Sequence, residues 1–231
     1  MGDPLAGDYP AAVGIYDAGS RQAKADKILA ILRAALGDRL ASCRCLDIGC
    51  ASGLITRGLA PHLRWAIGLE YDPQAVARMD ATGADNLLFL QGDAAHLPLP
   101  DDAVDLVVCA QVYEHVGDAQ ALAAEVERVL RPGGVCFFSG PNRLDPIERH
   151  YGLPFVSWLP RPLADAYLRG APAHLLGPAA AVAPADPHRL YGADNLPPRG
   201  IPLRERVWAA GMGIAAAWLA AALAAAPVPE L

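Results

Sequence analysis

Lysine is nearly missing from this 231-residue chain: of 19 basic residues only Lys24 and Lys27 are not arginine. With so much alanine, that is the composition of a GC-rich bacterial gene. A positive excess is missing too. The formal net charge is −6, which argues against a nucleic-acid binder driven by phosphate contacts. The charge is uneven: residues up to Gly140 carry a net −7, those from Pro141 onward a net +1. None of the five cysteines (Cys43, Cys45, Cys50, Cys109, Cys136) lies in a Cys-x-x-Cys pair, so structural zinc is not expected. An odd count fits a reducing compartment. The opening Met-Gly-Asp-Pro-Leu has no basic region followed by an apolar core, so the expectation is a cytoplasmic protein. What the chain does have is apolar material. At 53% hydrophobic residues, it can fill the core of one sizeable α/β domain.

The organising stretch is Cys45 to Thr56, Cys-Leu-Asp-Ile-Gly-Cys-Ala-Ser-Gly-Leu-Ile-Thr. A short apolar run ends in Asp47, a turn follows from Gly49 to Gly53, and Leu54, Ile55, Leu59 and Leu63 then fall at helical spacing. This is a strand, a tight loop and a helix start, the opening unit of an α/β nucleotide fold. Gly49 and Gly53 permit the sharp turn and close ligand approach. Trp65 to Glu70 is a second apolar run ending in an acid, 23 residues after Asp47. An acid there is placed to accept both hydroxyls of a ribose, with Tyr71 beside the base. Leu87 to Gln91 is a third strand, followed by Gly92-Asp93-Ala94. Val104 to Cys109 is apolar enough to be buried on both faces, and Ala110 to Val116 follows it. A helix runs from Asp118 to about Leu130; Arg131-Pro132-Gly133-Gly134 ends it, and Val135 to Ser139 is strand five. Before all these, Ser20 is a candidate cap for a helix to about Leu36.

These elements resemble the class I S-adenosylmethionine-dependent methyltransferases, of the methyltransferase type 11 kind. Asp47 with Gly49, Ala51 and Gly53 resembles their acidic residue followed by Gly-x-Gly-x-Gly, with Ala51 in place of the middle glycine. Asp93, Ala94, Leu97, Pro98, Leu99, Asp101, Val104 and Asp105 match a run read as D-A-x-x-L-P-F-x-D-x-x-F-D. Val112 to Val116 resembles V-L-E-H-V, and Arg128 to Gly134 matches R-V-L-R-P-G-G. The resemblance covers residues 25–140. It implies a Rossmann-like, doubly wound, mainly parallel α/β sheet with helices on both faces. It implies S-adenosyl-L-methionine as cofactor: Asp47, Gly49, Cys50, Ala51 and Gly53 at its methionine end, Glu70 on the ribose, Tyr71, Asp93 and Ala94 at the adenine, and Gln111 near the sulfonium. An NAD-dependent reading shares Glu70 but gives no role to Asp93-Ala94 or to Glu114-His115-Val116.

The expected organisation is an N-terminal arm (1–19), a cofactor-binding core (20–140), a Pro-rich irregular cap after strand five (141–202) and an Ala-rich helical segment (203–231). Residues from Pro141 hold 14 of the 21 prolines, as an irregular substrate-selecting insertion would. Tyr9 and Tyr16 could close over the cofactor or simply pack on the surface. The stretch 203–226 has few strongly apolar residues for a membrane span. Trp158, Tyr167, Arg161 and Arg169 fit either the rim of the cap or peripheral contact with a lipid interface.

Two histidines are candidate general bases. His115 would lie beside the transferred methyl group, or else serve with Glu114 to hold the strand-four turn. His150, with Glu148, lies on the segment expected to fold over the site. Some quinone O-methyltransferases place an acid where Gln111 stands, in a run linked to metal, so no metal is expected here. The resulting expectation is methyl transfer to an oxygen, nitrogen or carbon of a small or lipid-linked metabolite. The alternatives are a cofactor-binding module without catalysis, or a methyltransferase acting on protein or RNA.

Overall fold

The computed structural model describes residues 17–140, 146, 147, 152–172 and 207–210. Its sheet is built from β1 (Arg44–Ile48), β2 (Trp65–Glu70), β3 (Leu87–Gln91), β4 (Val104–Ala110), β5 (Leu130–Ser139) and β6 (Val207–Ala210). The order is β3-β2-β1-β4-β5-β6, and every pairing is parallel. The chain winds outward from β1 through β2 to β3, then returns to place β4 on the other side of β1. That reversal makes the crevice between the carboxyl ends of β1 and β4 the expected ligand position in an open parallel sheet.

Strand alternation explains the double layer. Cys45, Leu106, Val108, Val135 and Phe137 face one way and pack under α1 (Ala18–Leu36) and α2 (Leu54–Leu59), whose Ile28, Leu32, Leu36 and Leu59 are buried there. Leu46, Ile48, Ile67, Leu69, Val107, Cys109 and Cys136 face the other way, against Leu122, Val126 and Val129 of α4 (Ala119–Val129). Each fully buried Leu or Ile in these layers contributes roughly 1.5–3 kcal/mol. A single-turn helix, α3 (Pro73–Val76), follows β2 and is capped by Asp72. Helices therefore lie on both faces, and the Rossmann-like expectation holds.

Four local readings are corrected. Asp17, not Ser20, caps α1: the Ser20 N–H donates to Asp17 Oδ2 at 2.9 Å, because the carboxylate sits three residues ahead, where a capping acceptor reaches. The Arg131–Gly134 run does not precede β5 but lies inside it. Val104 pairs with Leu130 and Leu106 with Val135, so these residues form an irregular excursion, with Gly133 at φ +73°. β4 extends one residue further than expected, to Ala110. Within the stretch expected to be helical, Val207–Ala210 is a strand parallel to β5; Val and Trp at its start favour extended backbone. The rest of 203–231, the arm 1–16 with Tyr9 and Tyr16, and His150 lie outside the described residues.

The described part of the segment after β5 has its own small core. An isolated bridge joins Ile147 to Pro154, Val156–Trp158 forms a 3-10 turn, and α5 (Arg161–Gly170) follows. Leu153, Val156 and Ala164 are buried together. Among the described residues no helix is long and apolar enough to cross a membrane.

At the amino ends of the strands, opposite the crevice, buried Asp105 ties β4 to its neighbours. Its Oδ2 accepts from the Arg44 backbone N–H at 2.8 Å and from Arg44 Nε at 2.9 Å, and its Oδ1 pairs with Arg131. Burial alone would raise its pKa. The Arg44 hydrogen bonds and the Arg131 charge outweigh that and hold it below the usual carboxylate value. The group's stabilising contribution is therefore present above about pH 4 and lost as the pH falls through its lowered folded value. Asp105→Ala is expected to cost about 1–3 kcal/mol in urea unfolding at pH 7, with the deficit shrinking below pH 4. An equal deficit at pH 7 and pH 3 would refute the assignment.

Candidate functional site

The loop after β1 takes its shape from three left-handed residues, Gly49 (φ +66°), Ala51 (φ +53°) and Gly53 (φ +72°). Glycine adopts this conformation freely, and alanine does so at a cost. A Cβ on Gly49 would come within 2.7 Å of Val112 Cγ2, and one on Gly53 within 2.6 Å of the Phe89 ring. The loop has no room for side chains at these two points. Ala51 occupies the position where the small methyl is tolerated, and what holds its strained backbone is visible: the Ala51 N–H donates to Glu70 Oε2 at 2.9 Å.

Glu70, at the end of β2, also accepts from the N–H groups of Tyr71 and Asp72 through Oε1, at 2.8 and 3.1 Å. One carboxylate thus links the β1 loop to the β2 turn. An ionised carboxylate has about four acceptor positions, so capacity remains for a ligand hydroxyl. Tyr71 is 71% exposed, leaving a bare ring face at this edge. Cys50 is buried, within 3.9 Å of the Met79 sulfur, and burial raises its thiol pKa above the ordinary value. It packs the loop rather than presenting a thiolate.

Asp47 is buried and accepts from Thr56 Oγ1 at 2.6 Å. Burial lifts its pKa to about 7; the Thr56 hydrogen bond and the Lys24 charge pull it down, while Glu70 pushes it up. Lys24 of α1 has its own pKa lowered, chiefly by burial and by Arg21, against the opposing pull of Asp47 and Glu114. Lys24 and Thr56 were not singled out from the sequence. Thr56 had a local signal, a hydroxyl three residues after Gly53, on the first turn of a helix that faces the loop. Lys24 had none, because its acids lie 23 and 90 residues away.

Across the edge, Asp93 follows β3. Its Oδ1 accepts the Ala95 N–H at 2.9 Å, while the side chain stays about half exposed. Ala94 is buried in the core layer under α4. The Gly92 N–H donates to the Glu70 carbonyl at 2.9 Å, which sets Asp93 beside the β2 end. At the end of β4, Gln111 is left-handed (φ +61°) and its backbone N–H donates to the Ser139 carbonyl at 2.7 Å. With its amide nitrogen toward Glu114, the side chain bridges Glu114 Oε1 and the Gly140 N–H. Glu114 is buried and His115 exposed. Tyr113 stacks on Phe138 at 5.2 Å, and burial and Glu114 raise its pKa to about 12. The structure thus gathers Asp47, Gly49, Cys50, Ala51, Gly53, Glu70 and Tyr71 along the ends of β1 and β2, Asp93 and Ala94 beyond β3, and Gln111 with His115 beyond β4.

This edge carries four carboxylates, Asp47, Glu70, Asp93 and Glu114; the Lys24 charge acts on Asp47 and Glu114, and His96 Nδ1 lies 3.5 Å from Asp93 Oδ2. It suits a ligand with cationic centres and a ribose, and opposes a diphosphate. Residues 46–138 match the methyltransferase domain family. A probable S-adenosylmethionine-dependent methyltransferase of Mycolicibacterium smegmatis is 42% identical over 109 residues, 47% of this chain and 42% of that protein. A ubiquinone biosynthesis O-methyltransferase of Sodalis glossinidius is 32% identical over 102 residues, 42% of this chain and 41% of that protein. The solved structure of the YcgJ protein of Bacillus subtilis is 32% identical, covering 41% of this chain and 42% of that one, at a TM-score of 0.40. The chain spans less than half the length of either curated relative. Over the stretch matched, the chain is similar to S-adenosylmethionine-dependent methyltransferases.

Ionising Asp47 costs more in the folded than in the unfolded chain. Its contribution to stability is fully present below about pH 4, the ordinary carboxylate range, and is lost as the pH rises through about 7. Asp47→Asn removes that loss. In the absence of ligand the variant is expected to gain stability on wild type between pH 5 and pH 8, by about 2 kcal/mol, read from denaturant titrations at the two pH values. A gap that does not change with pH would contradict the raised pKa.

Proposed function

We propose that the protein transfers the methyl group of S-adenosylmethionine to an oxygen, nitrogen or carbon of a small or lipid-linked acceptor. The observation that carries this reading is the convergence, at the carboxyl ends of β1, β2 and β4 and just beyond β3, of a collapsed glycine loop with four carboxylates. The donor set fits the cofactor. Asp47 and the Gly49–Gly53 loop would hold the methionine end, with Cys50 and Ala51 packing it. Glu70 would accept the ribose hydroxyls, Tyr71 would lie along the adenine, Asp93 would accept its amino group and the Ala94 N–H would meet a ring nitrogen. Gln111 would stand near the sulfonium.

The cofactor, when bound, supplies a methyl group already activated on sulfur. The chain has to exclude water, align the acceptor atom and, for a hydroxyl or amine, take its proton. His115 is the proposed base, exposed at the turn after β4. His150 is a second candidate on the chain after β5. Phe155 and Trp158, paired at 4.9 Å, and the exposed Ile147 and Leu163 lie on that same segment. These exposed apolar side chains support an acceptor with an apolar portion, and so does likeness to a relative named for ubiquinone biosynthesis.

Titration calorimetry is expected to find binding of both S-adenosylmethionine and S-adenosylhomocysteine, with Asp93→Ala and Glu70→Ala each weakening it by about 1–3 kcal/mol. No heat at millimolar ligand would sink the reading. Incubating cell extract with methyl-labelled cofactor should yield a labelled product that partitions into organic solvent. His115→Ala should lower its rate of formation by about 100-fold or more, and an unchanged rate would remove His115 as the base.

A further inference from the structure

The cofactor reading leaves one polar cluster without a task. Arg128, on the last turn of α4, has five N–H groups, and each is directed at an acceptor. Nε donates to Glu125 Oε1 at 2.7 Å, and Nη2 to Glu125 Oε2 at 2.7 Å and to the Leu97 carbonyl at 3.1 Å. Nη1 donates to the Leu99 carbonyl at 2.7 Å and to Asp101 Oδ1 at 3.0 Å. Glu125 Oε2 in turn takes the Leu97 N–H at 2.6 Å. Both polar backbone groups of Leu97 are therefore held by one residue pair 28 to 31 positions further along the chain. The Arg128 hydrogen bonds, with that from the Leu97 N–H and the Arg128 charge, hold the Glu125 pKa below its ordinary value against burial, so the clamp stays ionised at neutral pH.

The loop so clamped begins at Asp93-Ala94. Ala94 and Leu97 are buried in the same layer as Leu122, Val126 and Val129 of α4. The helix is thus fixed to the loop twice, by packing below and by the guanidinium fork above. A side chain that only needed solvation would not saturate a planar five-donor group on two backbone carbonyls and two carboxylates. We infer that Arg128, with Glu125, is the positioning residue for the adenine end of the cofactor site, setting the Asp93 carboxylate and the Ala94 N–H at the spacing that an aminopurine edge requires.

The inference rests on the cofactor reading above, and the test separates the two. S-adenosylhomocysteine is titrated into wild type, Arg128→Lys, Asp93→Asn and the double variant. Arg128→Lys keeps the charge but loses the fork, and is expected to weaken binding about tenfold. Because both changes remove the same adenine contact, the double variant should bind within about twofold of the weaker single variant. Paired instead with Asp47→Asn, at the other end of the site, the losses should multiply. At saturating cofactor, turnover by Arg128→Lys should stay within about twofold of wild type, so that the change appears in KM and not in kcat. Glu125→Gln, which keeps an acceptor for Leu97, should weaken binding about threefold in the same direction, and it carries the test if Arg128→Lys does not fold. Wild type that binds, with unchanged affinity in the folded variants or with Arg128 and Asp93 effects that multiply, overturns this inference alone. Wild type that does not bind overturns the cofactor reading and this inference with it.

Discussion

The bond from the Ala51 N–H to the Glu70 carboxylate is the constraint on which the rest of the site depends. It holds a non-glycine residue in the left-handed region at the apex of the β1 loop and joins the ends of two neighbouring strands through one side chain. The Gly49 and Cys50 N–H groups already tie the loop to the Leu69 carbonyl of β2, at 2.8 and 3.1 Å; the Glu70 bond extends that tie to the apex and offsets the strain at Ala51. The tight packing follows from the same collapse. Gly53 and Gly68 both lie against the Phe89 ring, and Gly68 also meets the Cys50 sulfur, so neither can carry a side chain while the loop stays down. Glu70 then does two things at once: it shapes the loop in the free protein and keeps acceptor capacity turned to the edge.

Electrostatics divide the molecule into a quiet end and a loaded end. At the amino ends of the strands, Asp105 is neutralised by Arg44 and Arg131 and held ionised. At the carboxyl ends, Asp47 is buried with a hydroxyl as its nearest partner and sits near neutrality. The contrast is one of solvation and partners on the same residue type. A buried acid that is costly to ionise in the free protein becomes favourable beside a cation, which is how a fold stores preference for a positively charged ligand. Arg128 works at the far side of the same edge by geometry rather than charge, fixing a loop whose own sequence (Pro98, Pro100) supplies no internal ladder.

Much of this was legible in the sequence. The five strands ending in Ile48, Glu70, Gln91, Ala110 and Ser139 announced themselves as short apolar runs with an acid or a turn at the carboxyl end, because a parallel strand buried on both faces has few other compositions. Gly49, Gly53, Glu70 and Asp93 were legible because a left-handed turn and a strand-end carboxylate each leave a local mark. Contacts between distant positions left none. Lys24 reaches acids from another element, Arg128 clamps a loop about 30 residues back, and nothing in either neighbourhood says so. The Arg131–Gly134 run misled because Pro-Gly-Gly normally breaks a strand, and here the pairing resumes across the break. Val207–Ala210 was obscured by the alanines in and around it, since two β-prone residues, Val207 and Trp208, are too few to outweigh helical composition until β5 offers an edge.

The most direct measurement is a crystal structure of the protein grown with S-adenosylhomocysteine. The account predicts the ribose hydroxyls on Glu70, the adenine amino group on Asp93 with the Ala94 N–H on a ring nitrogen, and the amino-acid end over the Gly49–Gly53 loop toward Asp47. Ligand density on any other surface, or a ribose held without Glu70, would contradict it.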